Sequence, residues 1–448
     1  MRNTGILFFP AFDWAISPTH PEREERLLYT RDQLFEEGIM DLPNITEYRP
    51  ELATPRDILR AHFVVPDLEA HLTEAHFVAA GSAITVADAV LNQEVDNGFA
   101  IIRPPGHHAM TVSHGNRGFC NINNEAIMVE YIRKKYGLRK IAIIDTDVHH
   151  GDGTQEIFYN DPDILFISFH QDGRTLYPGT GFMEELGGPV AYGTTINIPL
   201  LPKTTDYGIH YVLDHLIMPI LEDFKPELIV NSAGQDNHFS DPLAEMCFSA
   251  QGYAKLNSKL APDIAVLEGG YSVETALPYV NTGIIMAMAG IDYSNLKEPT
   301  YIPGKLKEPA GNVEHIKKMI EIQKHNYFTR NEVVKELRVQ LGEYKKEYIR
   351  IFYDTEYIHE EQNITQRICP DCLGFRIIKS TAQHRNGKLY TVNCIAIPIY
   401  ACPSCQNQAR EVYQDNIRQG RYDLVYLQDK VLDEYRVFDS NKDMEKVF

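Results

Sequence analysis

The sequence predicts an α/β fold, a mostly parallel central sheet with helices on both faces, followed by a small C-terminal four-cysteine ribbon. Three observations predict it. Five short runs are almost wholly apolar: GFAII (98–102), IAII (141–144), ILFISF (164–169), ELIV (227–230) and IAVL (264–267). Segments with helical periodicity lie between them. Two C-x-x-C pairs, CPDC and CPSC, follow near the C-terminus.

Continuous apolarity suits strands covered on both faces, because a strand with one wet face alternates polar and apolar residues. Helical periodicity runs over 124–136, 206–224 and 243–260. Strand and helix in alternation imply parallel strands joined by crossover helices. The runs lead into RPPGHH, DTDVHHGDG, HQDG, NSAGQDNH and EGGY. These polar segments sit at the carboxyl ends of the strands, where open α/β sheets place ligands. They are expected to meet in one crevice.

Beyond residue 293 the character changes. Pro-containing loops, EPTYIPG and KEPAG, precede two charged helical segments. In the first, Ile316, Met319, Ile320 and Ile322 form a stripe that completes a main domain over 1–328. The second begins an amphipathic helical connector over 329–365, with Val333, Val334, Leu337 and Leu341 on one side. That pattern suits a surface helix or a contact in a homo-oligomer. Residues 366–448 hold the ribbon and a C-terminal extension.

At 448 residues the chain is long enough for about two or three domains. A composition 44% hydrophobic and 23% charged describes a soluble globular protein. The net charge of −19 argues against a body that wraps nucleic acid or lies on an anionic membrane. MRNTGILFFP does not read as a secretory leader, and the apolar stretch at 282–291 is too short to span a bilayer. Seven cysteines, four of them in C-x-x-C pairs, point to metal binding in a reducing, cytoplasmic setting.

DTDVHHGDG concentrates groups that bind metals or carry protons. Asp147 and His149, two residues apart on an extended segment, project to the same side. With Asp236 from another strand end they make a three-ligand set, which leaves a coordination position open as catalytic metals need. Two carboxylates and one imidazole suit Zn²⁺, and Fe²⁺ as well. The plainer reading is a cluster of turn and cap residues, with Asp152 and Asp236 as caps. His107 and His108 follow a Pro-Pro-Gly turn. Paired histidines are often ordinary surface residues, but here Asp145 and Asp152 are available to orient them. A carboxylate on one imidazole nitrogen fixes the tautomer and raises the basicity of the other. Two such dyads could take a proton from water and return one to a leaving amine.

RPPGHHA, GFCNINN, DTDVHHGDGTQ, YPGTG, SAGQD and LEGGY stand in the order and spacing of the zinc-dependent histone deacetylase superfamily, and HPEREERL resembles its N-terminal motif. The resemblance covers roughly residues 1–328. It implies the arginase/deacetylase fold and hydrolysis of an N-acetyl amide to acetate and a free amine. It implies Asp147, His149 and Asp236 as metal ligands, and His108 as general base supported by Asp152. His107 becomes its partner, supported by Asp145, and Tyr271 the hydroxyl that binds the developing oxyanion. Phe119 and Tyr177, with Gly118 and Gly269, line the channel for an acyl-lysine side chain. A structural K⁺ would be held by Asp145, Asp147, His149, Ser168 and Phe169.

Substrate is less constrained. The segment 58–90 is shorter than in many relatives, where a loop residue of acidic character holds the substrate backbone. Leu243 occupies the place where polyamine-directed relatives can carry an acidic gatekeeper, which disfavours a polycation. An acyl-lysine-like substrate leads, with an acetylated polyamine or another small amide as the alternative. Three other readings stay open: an arginase-like binuclear cluster on D-x-D-x-H, a Cys120 nucleophile paired with His107 or His108, and a non-catalytic acyl-lysine-binding scaffold.

Cys369, Cys372, Cys402 and Cys405 form a four-thiolate zinc signal. A redox role for either pair is the alternative. The 29 residues between Cys372 and Cys402 call for a long hairpin, with KLYTVNC and AIPIYAC as its strands. Cys247 and Cys394 read as buried apolar residues. Arg376, Lys379, Arg385 and Lys388 make this stretch a basic island, either a solvated surface or a contact for protein or nucleic acid.

Overall fold

A computed structural model describes residues 1–302 and 304–448. The first ten strands are β1 (Thr4–Phe9), β2 (Ile45–Tyr48), β3 (Phe63–Val64), β4 (Asn97–Ile102), β5 (Val112–Ser113), β6 (Ile141–Asp145), β7 (Ile164–Gln171), β8 (Thr195–Leu200), β9 (Leu228–Ala233) and β10 (Ile264–Leu267). Eight of them form one sheet in the order β2-β1-β4-β10-β9-β6-β7-β8. Every neighbouring pair in it is parallel. All five apolar runs are strands of this sheet. Ile141 and Ile143 of β6 enter one hydrophobic cluster, while Ala142 and Ile144 enter another on the opposite face. Burial on both faces is why these runs are continuous rather than alternating.

Three strands escape the apolar-run criterion. β2 is a half-buried edge strand, and β8 carries Asn197 and Pro199 within TINIPL. β1 is apolar but lies in the N-terminal segment, outside the strand–loop pattern of the other five.

The helix Asn124–Tyr136 forms at its expected position. The Asn123 side chain accepts from the Ala126 N–H at 2.8 Å, and Gly137 ends the helix at φ +74°. Residues 206–224 are helical throughout, with a π turn at Leu213–Ile217. The third expected helix is shorter than 243–260. It spans Ala250–Leu260, because Ser249 caps it by accepting from Gly252 N–H at 3.0 Å. The helix Glu74–Leu91 is long and apolar enough to cross a membrane, yet 61% of that window is buried inside the fold.

The helix Ala310–Phe328 buries Ile316, Met319 and Ile320, but Ile322 is 46% exposed and outside the stripe. The helical connector expected over 329–365 is corrected. A helix covers only Arg330–Gln340, and β11 (Tyr344–Tyr353) and β12 (Ile358–Arg367) follow it. Burial alternates along both strands, the period of a sheet with one wet face.

With β13 (Arg376–Gln383), β14 (Leu389–Ile397), β15 (Leu424–Asp429), β16 (Glu434–Asp439) and β17 (Met444–Val447), these strands form a seven-stranded sheet in chain order. Only β14 and β15 pair in parallel, and the helix Pro403–Gln419 connects them. The C-terminal region is therefore larger than a small ribbon. Of the two expected hairpin strands, KLYTVNC from Leu389 onward and only Ala396 and Ile397 of AIPIYAC fall in one strand, β14, and the rest of AIPIYAC is not strand; the hairpin partner of β14 is β13. The turn between them holds Asn386 and Gly387, a strong hairpin signal, with Gly387 at φ +80°.

This second sheet lies against the first domain. Ile364, Ile378 and Val392 share a hydrophobic cluster with Phe63, Val65 and Val112. Arg376 pairs with Glu156 at 2.6 Å and Arg60 with Asp433 at 2.9 Å across the same boundary.

Candidate active site

The carboxyl ends of β4, β6, β9 and β10 bring the polar segments together. Asp147 and His149 leave β6, and Asp236 follows β9. One ligating atom from each lies within 4.8 Å of the others, and all three residues are buried. His149 Nδ1 stands 3.1 Å from Asp147 Oδ1 and 3.1 Å from Asp236 Oδ2. Backbone amides hold the carboxylates in place: Gly269 N–H donates to Asp147 Oδ2 at 2.7 Å, and Val148 N–H to Asp236 Oδ1 at 2.8 Å. A side chain at Gly269 would collide with both carboxylates, so only glycine allows the β10 loop this close. Two buried carboxylates converging on one imidazole, with so little cationic compensation, fit a divalent cation.

Two His–Asp pairs flank this set. His107 Nδ1 lies 3.1 Å from Asp145 Oδ2, and His108 Nδ1 lies 2.7 Å from Asp152 Oδ1. Burial opposes charge on His107, but the carboxylates of Asp147 and Asp145 outweigh it and raise its pKa well above the ordinary value. His108 differs: burial, reinforced by the charge of His107, holds it well below. Asp145 is pushed up to about 6 by burial. Adjacent histidines of opposite protonation preference suit a proton acceptor beside a proton donor.

Tyr271 is buried, and burial raises its hydroxyl pKa well above the ordinary value, which keeps it a donor. Its backbone N–H donates to Asp241 Oδ2 at 2.7 Å. Arg26 donates to Gly270 O at 2.8 Å and lies over the Tyr271 ring, 5.0 Å from its centre. Glu22 binds Arg26 and Arg103, each at 2.8 Å, with all three side chains fully buried. HPEREERL is thus a brace beneath the tyrosine.

A cavity of about 280 Å³ opens over these groups, lined by His107, His108, Gly118, Phe119, His149, Tyr177, Leu243 and Tyr271 among others. Phe119 meets Tyr271 edge-on at 5.5 Å, and Tyr177 meets His108 edge-on at 5.1 Å. Gly118 and Phe119 both have left-handed backbones, φ +52° and +72°. Any side chain at Gly118 would strike His108 and Tyr177. Leu243 presents an apolar side to the cavity.

Ser168 and Phe169 are buried on β7, with Ser168 in register beside Asp145. Asp145 is engaged by His107 and by the Asp147 N–H at 3.0 Å. It does not join the converging set, which disfavours a binuclear cluster. Cys120 is fully buried and burial raises its thiol pKa well above the ordinary value, which argues against a nucleophile.

Several further residues belong to this site. Arg117 pairs with Asp152 at 2.6 Å. Glu268 Oε2 accepts from the N–H groups of Gly106 and His107 at 2.6 and 3.0 Å, setting the histidine turn. Asp354, from the turn between β11 and β12, also lines the cavity. Arg117 directly precedes GFCNINN and Glu268 lies within LEGGY, so the sequence carries a signal for both. Asp354 offers no local signal.

The model of the histone deacetylase domain family matches residues 66–287. A probable deacetylase of Archaeoglobus fulgidus is 48% identical over 329 residues, which cover 67% of this chain and 90% of that protein. The chain belongs to the histone deacetylase family. Chloroplastic histone deacetylase 14 of Arabidopsis thaliana is 43% identical over 212 residues, 44% of this chain and 49% of that protein. The crystal structure of the HDA15 HD domain aligns with a TM-score of 0.64 at 25% identity, covering 76% of this chain and 99% of that one. Family and site geometry together make this deacetylase a metal-assisted amide hydrolase.

A second group of candidate metal ligands lies in the C-terminal region. Cys369, Cys372, Cys402 and Cys405 bring their sulfurs within 4.8 Å of one another. Gly374 N–H lies 3.2 Å from Cys372 Sγ, and the backbone amide of Cys405 lowers the pKa of the Cys402 thiol. Of the basic island, Arg376 is spent on Glu156, and Arg385 donates to the carbonyls of Thr355 and Glu356. Lys379 and Lys388 remain exposed.

Proposed function

We propose that this chain removes an acetyl or related acyl group from a lysine-like amine. Asp147, His149 and Asp236 would hold Zn²⁺, or Fe²⁺, which polarises the acyl carbonyl and acidifies water when bound. His108, steadied by Asp152, accepts the proton of the attacking water. His107, steadied by Asp145, supplies a proton to the nitrogen as the C–N bond breaks. Tyr271 donates its hydroxyl to the oxygen that gains charge at the acyl carbon. Phe119 and Tyr177 exclude water and grip the alkyl chain.

The observation that carries this reading is the convergence of the three metal-ligating residues, two His–Asp pairs and Tyr271 at one cavity. Zn²⁺ in the four-cysteine group and K⁺ near Asp145, Asp147, His149, Ser168 and Phe169 complete the proposed cofactors. The test is acetate release from an acetyl-lysine peptide. Turnover that stops with a chelator and returns with Zn²⁺ supports the reading; binding of the peptide without turnover by metal-loaded protein would leave a scaffold instead.

A further inference from the structure

The C-terminal sheet reaches the active site. Its first turn, 354–357, grips the loop that carries Gly118 and Phe119. Asp354 Oδ1 accepts from Gly118 N–H at 2.9 Å and from the Tyr177 hydroxyl at 3.4 Å. Glu356 accepts from Asn116 N–H at 2.8 Å, and the Thr355 hydroxyl donates to the Asn116 side chain at 2.7 Å. Both hydrogen bonds of Asp354 use Oδ1. Oδ2 makes none to the described residues, and Asp354 is half-buried at the cavity wall.

The neighbouring cations do not neutralise this carboxylate. Arg117 pairs with Asp152 at 2.6 Å. Arg385 donates to the backbone carbonyls behind the turn. His20, edge-on to Phe119 at 4.3 Å, has its pKa lowered by burial. Among the described residues Asp354 forms no ion pair within 4.0 Å. A carboxylate with one oxygen pinned and the other free to accept, set at a cavity wall without a cationic partner, attracts a cation.

From these contacts we infer that Asp354 is a specificity-determining residue, which binds a positively charged group carried by the substrate beyond its scissile amide. The preferred substrate class is an N-acyl amine with one further, protonated amine, a single cation for the one free carboxylate oxygen rather than the polycation that Leu243 disfavours. This rests on the amide-hydrolysis reading above. It assigns the C-terminal sheet a direct part in substrate choice, through a residue far outside the matched deacetylase domain.

The experiment compares two acetamides of equal length with zinc-loaded full-length protein. One is monoacetylated diaminopentane, with an ammonium at its far end; the other is neutral N-hexylacetamide. An acetyl-lysine peptide serves as control. Asp354→Asn keeps the acceptor for Gly118 but loses the charge. The ratio of kcat/KM for the cationic over the neutral amide should fall about 10-fold in Asp354→Asn. The wild-type ratio should itself shrink as salt rises from about 20 mM to about 300 mM, a test that needs no variant. An unchanged ratio in the variant, an equal loss on both amides, or a wild-type ratio indifferent to salt overturns the inference. Failure of wild-type protein on all three substrates, peptide included, would instead refute the amide-hydrolysis reading beneath it.

Discussion

The Nδ1 atom of His108 stands 2.7 Å from Oδ1 of Asp152, whose other oxygen stands 2.6 Å from Nη2 of Arg117. The chain Arg117–Asp152–His108 fixes the imidazole with its Nδ1 proton directed at the carboxylate, leaving Nε2 free to accept. Asp152→Asn should lower kcat about 100-fold while KM and bound metal change little. Steady-state kinetics with metal analysis checks this; an undiminished kcat would remove His108 from proton transfer.

Tyr271 makes a separate prediction. It lines the cavity as a neutral donor, and loss of a single oxyanion donor costs on the order of 100-fold or more in rate. Tyr271→Phe should cripple turnover with metal content and melting temperature near wild type. Full activity would assign the oxyanion to another group.

The two candidate metal sites are built on different sheets, so they should empty independently. His149→Ala should abolish activity and reduce zinc from about two ions per chain to about one. Cys369→Ser together with Cys402→Ser should also leave about one, at the active site, while lowering the melting temperature. Zinc stoichiometry by mass spectrometry separates these cases.

The contact between the sheets should weaken in acid. Desolvation opposes the charge of half-buried Glu156, but Arg376 outweighs it and lowers its pKa from the usual 4.5; half-buried Asp433 is likewise lowered from 3.8 by Arg60 despite desolvation. A carboxylate whose folded pKa is depressed contributes stability that is complete above its unfolded value and is lost as pH falls through the folded one. The melting temperature should therefore drop as pH descends below the usual carboxylate range. Glu156→Gln should lower it at neutral pH and flatten that acid slope, as measured by thermal unfolding across pH.

The catalytic half was legible because its strands are buried on both faces and its ligands follow them within a few residues. Five strands, the His–Asp pairs, the three converging ligands and Tyr271 all lie in segments whose local pattern exposes them. The C-terminal half was legible only at its cysteines. An alternating strand such as YKKEYIRIFY shares charge and apolar content with an amphipathic helix, which masks its period of two. The Asn386–Gly387 turn signal was present in the sequence and would have placed the hairpin.

By itself the sequence determined the parallel sheet, the site chemistry and the presence of a four-thiolate group, since each depends on residues close together in the chain or on a period of two or 3.6. Only the tertiary structure decided that Arg117 holds Asp152, that HPEREERL braces Tyr271, and that Asp354 enters the cavity from a second sheet. Those contacts include residues 244 positions apart in the chain. No local pattern encodes them; the first two arise where loops of the parallel sheet converge, and the third where the two sheets bury their apolar faces against one another.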